Sequence, residues 1–179
     1  MPDGQLSASE MPDIAISGQQ YSLAHLKSFT LPVVINEQTG LTYKVYVSFG
    51  THTFSKTWDD TDLSDHKVDD GREVRCFCPV RHGHSLSLPD IIRKGVSGRA
   101  YFSQRKDFLL IDNLPGMVGP YAVFFNLEKA KTRNFHAAMF VVSAYEKPDL
   151  PLVSSLQRIT FNTLLAKTVR GEKIIRPKK

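Results

Sequence analysis

Residues 41–49 carry the pattern that most constrains the fold, a strict alternation of two kinds of side chain. The odd positions from Tyr43 to Phe49 are aromatic or aliphatic, whereas the even positions from Thr42 to Ser48 are polar or amphipathic. This period of two is typical of a β-strand that buries one face. An apolar stretch at residues 31–36 precedes it across a short turn, so the sequence predicts a β-hairpin over residues 31–49.

The rest of the chain combines several strand patterns with few helix patterns. Residues 121–125 and 137–144 are continuously apolar, which predicts two buried central strands. The remaining patterns are strands at residues 74–78, 107–111 and 158–161, and helices at residues 87–95 and from Asn162 to about residue 170. Short connections and few helices exclude a doubly wound parallel sheet. We predict an α+β fold, a mainly antiparallel sheet of six or seven strands with two short helices.

The chain has 179 residues, enough for one domain with its own core. We expect a flexible leader over residues 1–18, a single α+β domain over residues 19–170 and a basic tail over residues 171–179. No apolar stretch approaches the roughly 18 residues that cross a bilayer, so we expect no membrane partner. Two cysteines and the lack of a basic-then-apolar signal segment predict a reduced, cytoplasmic protein.

Charge is divided unevenly along the chain. Residues 1–70 contain four Lys and Arg against ten Asp and Glu, whereas residues 71–179 contain 19 against eight. A basic surface attracts polyanions, of which RNA and DNA are the commonest. A solvated basic surface with a frayed tail gives the same composition, so both interpretations stay open. The acidic run at residues 59–70 is either a flexible loop or a counter-charge for the basic face.

Several motifs that would identify an enzyme class are missing from the sequence. The chain contains no G-x-x-x-x-G-K-[ST] or G-x-G-x-x-G phosphate loop, no H-E-x-x-H zinc motif and no G-x-S-x-G nucleophile motif. The acidic run also lacks the spacing of an EF-hand. We therefore predict no cofactor.

Residues 76–85 hold the densest group of reactive side chains, and two interpretations of them are considered. In the first, Cys76, Cys78, His82 and His84 bind zinc as four nitrogen and sulfur ligands. Their spacing is tighter than the roughly two to four residues common between zinc-binding cysteines. Two packed, reduced thiols on one face of a strand are the simpler explanation of the cysteines.

In the second interpretation, Arg81 and Ser85 face a pocket together with His82 and His84. Histidine transfers protons near neutral pH, and arginine holds phosphate through two hydrogen bonds. Such a set suits metal-free cleavage of RNA, in which a base takes the 2′-hydroxyl proton, a cation stabilises the phosphorane and an acid protonates the 5′ oxygen. His52, which follows a glycine at an expected strand break, is a further candidate for the base or acid.

Basic and aromatic residues are interleaved at residues 99–105, and a basic connection joins the two apolar strands. Aromatic rings stack on unpaired bases, and arginine and lysine bind phosphate. An edge strand with ordinary amphipathic faces explains the first segment as well. The candidate nucleic-acid contacts are Arg99, Tyr101, Arg105, Lys129, Lys131 and Arg133.

The strands at residues 121–125 and 136–145, which end in the sequence Phe-Val-Val-Ser-Ala-Tyr, resemble the closing strands of the barnase–EndoU–colicin–RelE group of metal-independent ribonucleases. This resemblance implies a small helical part on an antiparallel sheet, cleavage of RNA and roles as toxins on phages and mobile elements. It also implies that Ser143 and Tyr145 lie at the site with a His and an Arg from earlier strands.

A second set of segments comprises Ser48-Phe-x-x-His52, Arg75-Cys-Phe-Cys-Pro-Val-Arg81 and Ser143-Ala-Tyr. These segments are similar to those of small proteins of bacterial mobile elements known as stationary-phase growth adaptation proteins. The similarity implies a biological setting and no particular chemistry.

We expect from these features a metal-independent, RNA-directed nuclease-like domain that acts as a toxin or growth modulator of a mobile element. The candidate catalytic residues are His52, Arg81, Ser85, Ser143 and Tyr145. The alternative is a non-enzymatic regulator that binds nucleic acid or protein through basic residues 71–179, with or without zinc. A protein regulator of the antitoxin kind is a further expected partner.

Overall fold

A computed structural model describes residue 8, residues 11–103 and residues 107–176. The strands are β1 (Ile14–Ile16), β2 (Gln19–Tyr21), β3 (Phe29–Asn36), β4 (Leu41–His52), β5 (Ser55–Thr57), β6 (Lys67–Asp69), β7 (Val74–Phe77), β8 (Arg99–Phe102), β9 (Phe108–Asp112), β10 (Tyr121–Lys129), β11 (Ala137–Glu146) and β12 (Arg158–Thr160). The α-helices are α1 (Pro79–Ser85), α2 (Leu88–Gly95) and α3 (Phe161–Arg170).

A seven-stranded sheet in the order β12-β8-β9-β10-β11-β4-β3 forms the centre of the structure. Its pairs are antiparallel except for β11 and β4, which run parallel. The fold is therefore α+β on a mainly antiparallel sheet, as the sequence predicts. The hairpin is confirmed, with Val33 opposite Tyr43 and Leu31 opposite Val45. β4 extends past the predicted strand to His52, so Gly50 lies inside the strand and does not break it.

The described residues form three α-helices, one more than the sequence predicts. The helices expected near residues 87–95 and 162–170 are present as α2 and α3. The additional helix, α1, begins at Pro79, directly after the strand predicted at residues 74–78. Proline also suits the first position of a helix, because its fixed φ fits the helix and its missing N–H would be unpaired there.

Two smaller sheets surround the central one. A three-stranded sheet in the order β5-β7-β6 includes residues 67–69, which lie within the segment expected to be a loop. A two-stranded sheet pairs β1 with β2, so residues 14–16 of the expected leader form a strand. The three-stranded sheet places the acidic run beside the end of β4, where the candidate site lies.

The core covers one face of the central sheet beneath α2 and α3. Leu110 and Val123 are paired neighbours on this face, and both are buried. Gly95 of α2 packs directly against Leu110, and Phe161 of α3 lies 6.1 Å from Phe125, measured between ring centroids. Burial of apolar surface of this kind is the main stabilising contribution in a domain of this size.

We call the other face of the central sheet the open face, and its register defines it. Residues that lie directly opposite each other on paired strands share a face. The central row of the open face contains His52, Ser143, Phe124, Leu109 and Tyr101, on β4, β11, β10, β9 and β8. Four of the five are half-buried, and Leu109 is buried. A row of polar and aromatic side chains therefore crosses the sheet.

In the part of the chain that the structure describes, no helix is long and apolar enough to cross a membrane.

Candidate functional site

His52 ends β4 and forms the centre of the candidate site. Its Nε2 lies 2.9 Å from Oε1 of Glu73 and 4.0 Å from Oδ2 of Asp70. A carboxylate accepts hydrogen bonds, so Nε2 carries the proton and Nδ1 carries the free lone pair. Nδ1 has no hydrogen-bond partner among the residues that the structure describes. Burial lowers the pKa of His52 below its ordinary value; Arg75 adds to this effect and Glu73 opposes it.

Asp70 anchors the end of the acidic run beneath His52. The carboxylate is 1% exposed, and its Oδ1 accepts hydrogen bonds from the backbone N–H groups of Arg72 and Glu73. Thr51 donates its hydroxyl to Oδ2 over 2.9 Å. Burial by itself would raise the pKa of Asp70, but these donors lower it below its ordinary value. Asp70 therefore remains an anion and supports the loop that carries Glu73.

Arg75 connects this pair to the neighbouring strand. Its Nη1 donates to Oε1 of Glu73 over 2.6 Å, and its Nε donates to Oγ of Ser55 over 2.8 Å. Ser55 in turn donates to the carbonyl oxygen of Thr51 over 2.7 Å. Because Arg75 is almost completely buried, its charge is held in place and balanced by Glu73.

Arg81 projects from α1 towards the same strands. Its Nη1 donates to the carbonyl oxygen of Ser55 over 2.7 Å, and its guanidinium carbon lies 4.9 Å from the ring centroid of Tyr145. Burial lowers the pKa of Arg81, but an arginine keeps its charge. In the described part of the chain, Arg81 has no carboxylate within ion-pair distance, and its Nε and Nη2 have no acceptor. A half-buried cation without a counter-charge favours an anionic ligand.

Ser143 and Tyr145 complete this side of the site. Ser143 lies opposite His52 on β4 and opposite Phe124 on β10. Tyr145, two residues further along β11, stacks on Phe124 with ring centroids 5.3 Å apart. The structure therefore relates four of the five candidate catalytic residues through the end of β11. His52 is paired with Ser143, and Arg81 lies over the ring of Tyr145.

Ser85 lies in a different environment. Its side chain is fully buried, and its Oγ lies 2.7 Å from Nε2 of His25 and donates to the carbonyl oxygen of His82 over 2.7 Å. Ser85 does not face the expected pocket, because α1 turns its hydroxyl inward. Burial and the neighbouring His82 lower the pKa of His25. Ser85 holds α1 against residues 24–26 and does not line the site.

The four alternative zinc ligands are not brought together. Cys76 is buried on β7 and donates its thiol to the carbonyl oxygen of Phe77, while Cys78 precedes α1. His82 and His84 are two residues apart on α1 and so point in very different directions. His82 contacts the carbonyl oxygen of Ser22, and the ring of His84 lies 6.0 Å from that of Tyr121.

Within the described residues, one group of three or more potential metal ligands has its ligand atoms within 4.8 Å of one another, namely His52, Asp70 and Glu73. The oxygen of Glu73 that faces His52 already accepts a hydrogen bond from Arg75. The guanidinium of Arg75 therefore already balances the charge of Glu73, as a bound cation would.

Sequence reasoning missed Glu73, Asp70, Arg75 and Tyr121. The hydroxyl of Tyr121 is buried and has no hydrogen-bond partner in the described part of the chain. Burial raises the pKa of Tyr121, while the charge of Arg81 opposes the rise. Tyr121, the first residue of β10, carries no sequence signal of a site, whereas Glu73, two positions before Arg75, could have suggested an ion pair.

A comparison with family models places this arrangement in a wider group. The model of the YjaZ family matches residues 13–169. The chain belongs to the YjaZ family. The match runs from just before β1 almost to the end of α3, so the network around His52 lies within the YjaZ region. No curated protein and no solved structure matches this YjaZ-family chain.

The candidate nucleic-acid contacts lie at two ends of the YjaZ domain. Arg99 is exposed and Tyr101 is half-buried on β8, whereas Lys129, Lys131 and Arg133 are exposed at and beyond the end of β10. Tyr101 lies level with Phe124 of β10 across β9, and Lys129 lies five residues, about 17 Å, further along β10. Arg105 lies outside the described residues.

Proposed function

We propose that this YjaZ-family chain is an RNA-directed, metal-independent phosphodiesterase that cleaves RNA at His52 and Arg81. The observation that supports the proposal most strongly is the state of Arg81, a half-buried guanidinium that lacks a carboxylate partner in the described part of the chain. It contacts Tyr145, whose strand also carries Ser143 opposite His52. A phosphate diester would supply the missing negative charge.

His52 acts as the general base in this proposal. Glu73 holds the imidazole through Nε2, which leaves the lone pair of Nδ1 to accept the proton of the 2′-hydroxyl. The 2′ oxygen then attacks phosphorus, and the bond from phosphorus to the 5′ oxygen breaks. The products are a 2′,3′-cyclic phosphate and a 5′-hydroxyl end. Glu73 also stabilises the imidazolium that forms at His52, as a carboxylate does behind a catalytic histidine.

The remaining groups bind the reacting phosphate. The free Nε and Nη2 of Arg81 would bind two phosphate oxygens and stabilise the extra charge of the phosphorane. The hydroxyls of Ser143 and Tyr145 have no partner among the described residues. We assign Ser143 to a phosphate oxygen and Tyr145 to the 5′ oxygen, to which it donates a proton that solvent later replaces. Cleavage of cytoplasmic RNA in this way would make the chain a toxin or growth modulator.

A cleavage assay in the presence of EDTA tests the proposal. The intact chain is incubated with RNA beside His52→Ala, Arg81→Ala and the control Arg93→Ala. Arg93 is an exposed arginine that also lies over an aromatic ring, that of Phe29. We expect cleavage by the intact chain and by the control. Loss of the base should slow cleavage by about 100-fold or more, and loss of Arg81 by a similar factor.

Two results would exclude this function. One is the absence of cleavage by the intact chain, and the other is cleavage at equal rates by all four proteins. Cleavage that requires a divalent metal would contradict metal independence and would indicate a cation at His52, Asp70 and Glu73.

The second candidate function is regulation by binding alone, either of nucleic acid or of another protein. The observation that favours it is the exposed basic group of Lys129, Lys131 and Arg133, which form no ion pair among the described residues. Binding of RNA or DNA that weakens steeply with salt and proceeds without turnover would support this candidate. A partner protein that suppresses RNA cleavage by covering Arg81 would instead support the first candidate function, the phosphodiesterase.

A further inference from the structure

A cavity of about 220 Å³ lies beside the last turn of α2, where β8 and β9 separate. These strands are paired at Tyr101 with Leu109 and at Phe102 with Phe108. Among the described residues this pairing with β9 ends at Tyr101, whereas the other edge of β8 pairs with β12 from Arg99 to Tyr101. The cavity has apolar walls that include Ile91 and Ile111. Its polar lining comprises Lys94, Arg99, Tyr101 and Asp112, and Nζ of Lys94 lies 3.4 Å from Oδ2 of Asp112. It therefore offers an apolar slot edged by two cations, one carboxylate and a tyrosine ring.

Two arginines flank Tyr101 on the open face. Arg99 precedes it by two residues on the same strand, and Arg158 lies directly opposite it on β12. Residues with this spacing and pairing share one face of a sheet. Both arginines are exposed, and in the described ranges neither forms an ion pair with a carboxylate. The combination of a half-buried ring with two free guanidinium groups fits a base and its phosphates.

The cluster around Tyr101 is aligned with the candidate site. Tyr101 and His52 occupy the same row of the sheet, separated by four inter-strand steps through Leu109, Phe124 and Ser143. Four steps of about 4.8 Å give a separation of about 19 Å between the two strand positions. Phe124 and the ring stacked on it lie between them. An extended strand of a few nucleotides can follow this row from one position to the other.

We propose that Tyr101, Arg99 and Arg158, together with the adjoining cavity, form a subsite that binds an unpaired base and its phosphate in single-stranded RNA. This subsite is separate from the His52 site. The proposal rests on the function proposed above for the choice of RNA, and it names single-stranded RNA as the substrate class. A paired base has its faces covered by its neighbours in the duplex and cannot stack on a ring in a sheet.

A binding measurement tests the subsite without using catalysis. A fluorescent RNA of about 12 nucleotides, within the range of single-strand binding sites, carries a 2′-O-methyl group at every position and cannot be cleaved. Fluorescence anisotropy gives its affinity for the intact chain, Tyr101→Leu, Tyr101→Phe, Arg99→Ala and Arg158→Ala. Arg93→Ala serves as the charge-matched control, and circular dichroism verifies that each variant is folded.

We expect Tyr101→Leu to weaken binding by at least about 5-fold, because stacking is lost while bulk is kept. Tyr101→Phe keeps the ring and should bind like the intact chain. Arg99→Ala and Arg158→Ala should each weaken binding and reduce its salt dependence, whereas Arg93→Ala should change neither. The corresponding duplex should bind more weakly and should not respond to Tyr101→Leu.

Three outcomes would overturn the subsite: no binding of the RNA, unchanged affinity in Tyr101→Leu, or equal binding of duplex and single strand. These results are distinct from failure of the proposed function. If the RNA binds as expected but natural RNA is not cleaved, the nuclease proposal fails and the subsite stands. If natural RNA is cleaved but Tyr101→Leu changes nothing, the subsite is wrong and the nuclease proposal stands.

Discussion

At the scale of single residues, the site depends on how one carboxylate distributes its charge. Oε1 of Glu73 faces Nε2 of His52 at 2.9 Å and Nη1 of Arg75 at 2.6 Å, so it serves an imidazole and a guanidinium together. Arg75 is thereby neutralised, whereas Arg81 is not. This difference makes Arg81 the arginine that is free to bind a substrate.

The titration of His52 is the first prediction at this scale. Because burial lowers its pKa, His52 should titrate below its ordinary value of 6.5, and cleavage should decline only when the pH falls below that value. Glu73→Gln removes an interaction that raises the pKa, so the pKa should fall further. NMR titration of the ring protons measures both values. A pKa above 6.5 in the intact chain would contradict the description of the site.

The buried hydroxyl of Tyr121 gives a second prediction. It has no hydrogen-bond partner in the described part of the chain, so its desolvation is not offset. Tyr121→Phe should therefore raise the free energy of unfolding by about 1 kcal/mol. Urea denaturation measures the change. A decrease in stability would show that the hydroxyl is bonded in the folded protein.

The sequence predicted some of these site residues and gave no indication of others. It singled out His52, Arg81, Ser143 and Tyr145, which occupy two connected positions at one strand end. It did not identify Glu73, because an acidic turn has the same composition whether it faces solvent or folds against a histidine 21 residues earlier. Such contacts depend on the path of β7, which no local pattern specifies.

At the scale of elements, Gly50 allows β4 and β11 to approach closely. A Cβ at Gly50 would lie 3.0 Å from Cζ of Phe140 and 3.1 Å from the carbonyl oxygen of Val142. We predict that Gly50→Ala lowers the free energy of unfolding by about 1–3 kcal/mol through overpacking. Thermal or urea denaturation measures this loss.

A matched substitution in α1 controls for the change of residue type. A Cβ at Gly83 would meet no atom within 4 Å, and alanine is the better helix former. Gly83→Ala should therefore leave stability unchanged or raise it by up to about 1 kcal/mol. If both variants lost the same stability, close packing at Gly50 would not be the cause.

Helices and strands were predictable where a local sequence pattern specifies them, and their boundaries were missed where long-range contacts determine them. The β3–β4 hairpin and α2 follow from periodicity and turn residues near in sequence. The pattern predicted a helix from Asn162, whereas α3 begins at Phe161, because Thr160 caps it by accepting the hydrogen bond from the N–H of Thr163. Asn162 instead donates to the carbonyl oxygen of Val34. Both residues have side chains suited to a cap, and a strand 128 residues away decided between them.

At the scale of the whole molecule, the parallel pairing of β11 with β4 creates the site. It joins a strand from the acidic first part of the chain to one from the basic remainder, with His52 opposite Ser143. The strand and helix patterns predicted the α+β class, but they could not predict this pairing, because the strands are separated by more than 80 residues. The acidic run, which could have been a free loop, ends in Asp70 at this junction, and Glu73 three residues later contacts His52 there.

The most direct test of the account is the product of RNA treated with the intact chain in EDTA. We predict cleavage that leaves 2′,3′-cyclic phosphate and 5′-hydroxyl ends. His52→Ala and Arg81→Ala should each slow this cleavage by about 100-fold or more, whereas Arg93→Ala should leave its rate unchanged. Intact RNA after incubation with a folded chain, or cleavage at the same rate in all variants, would contradict it.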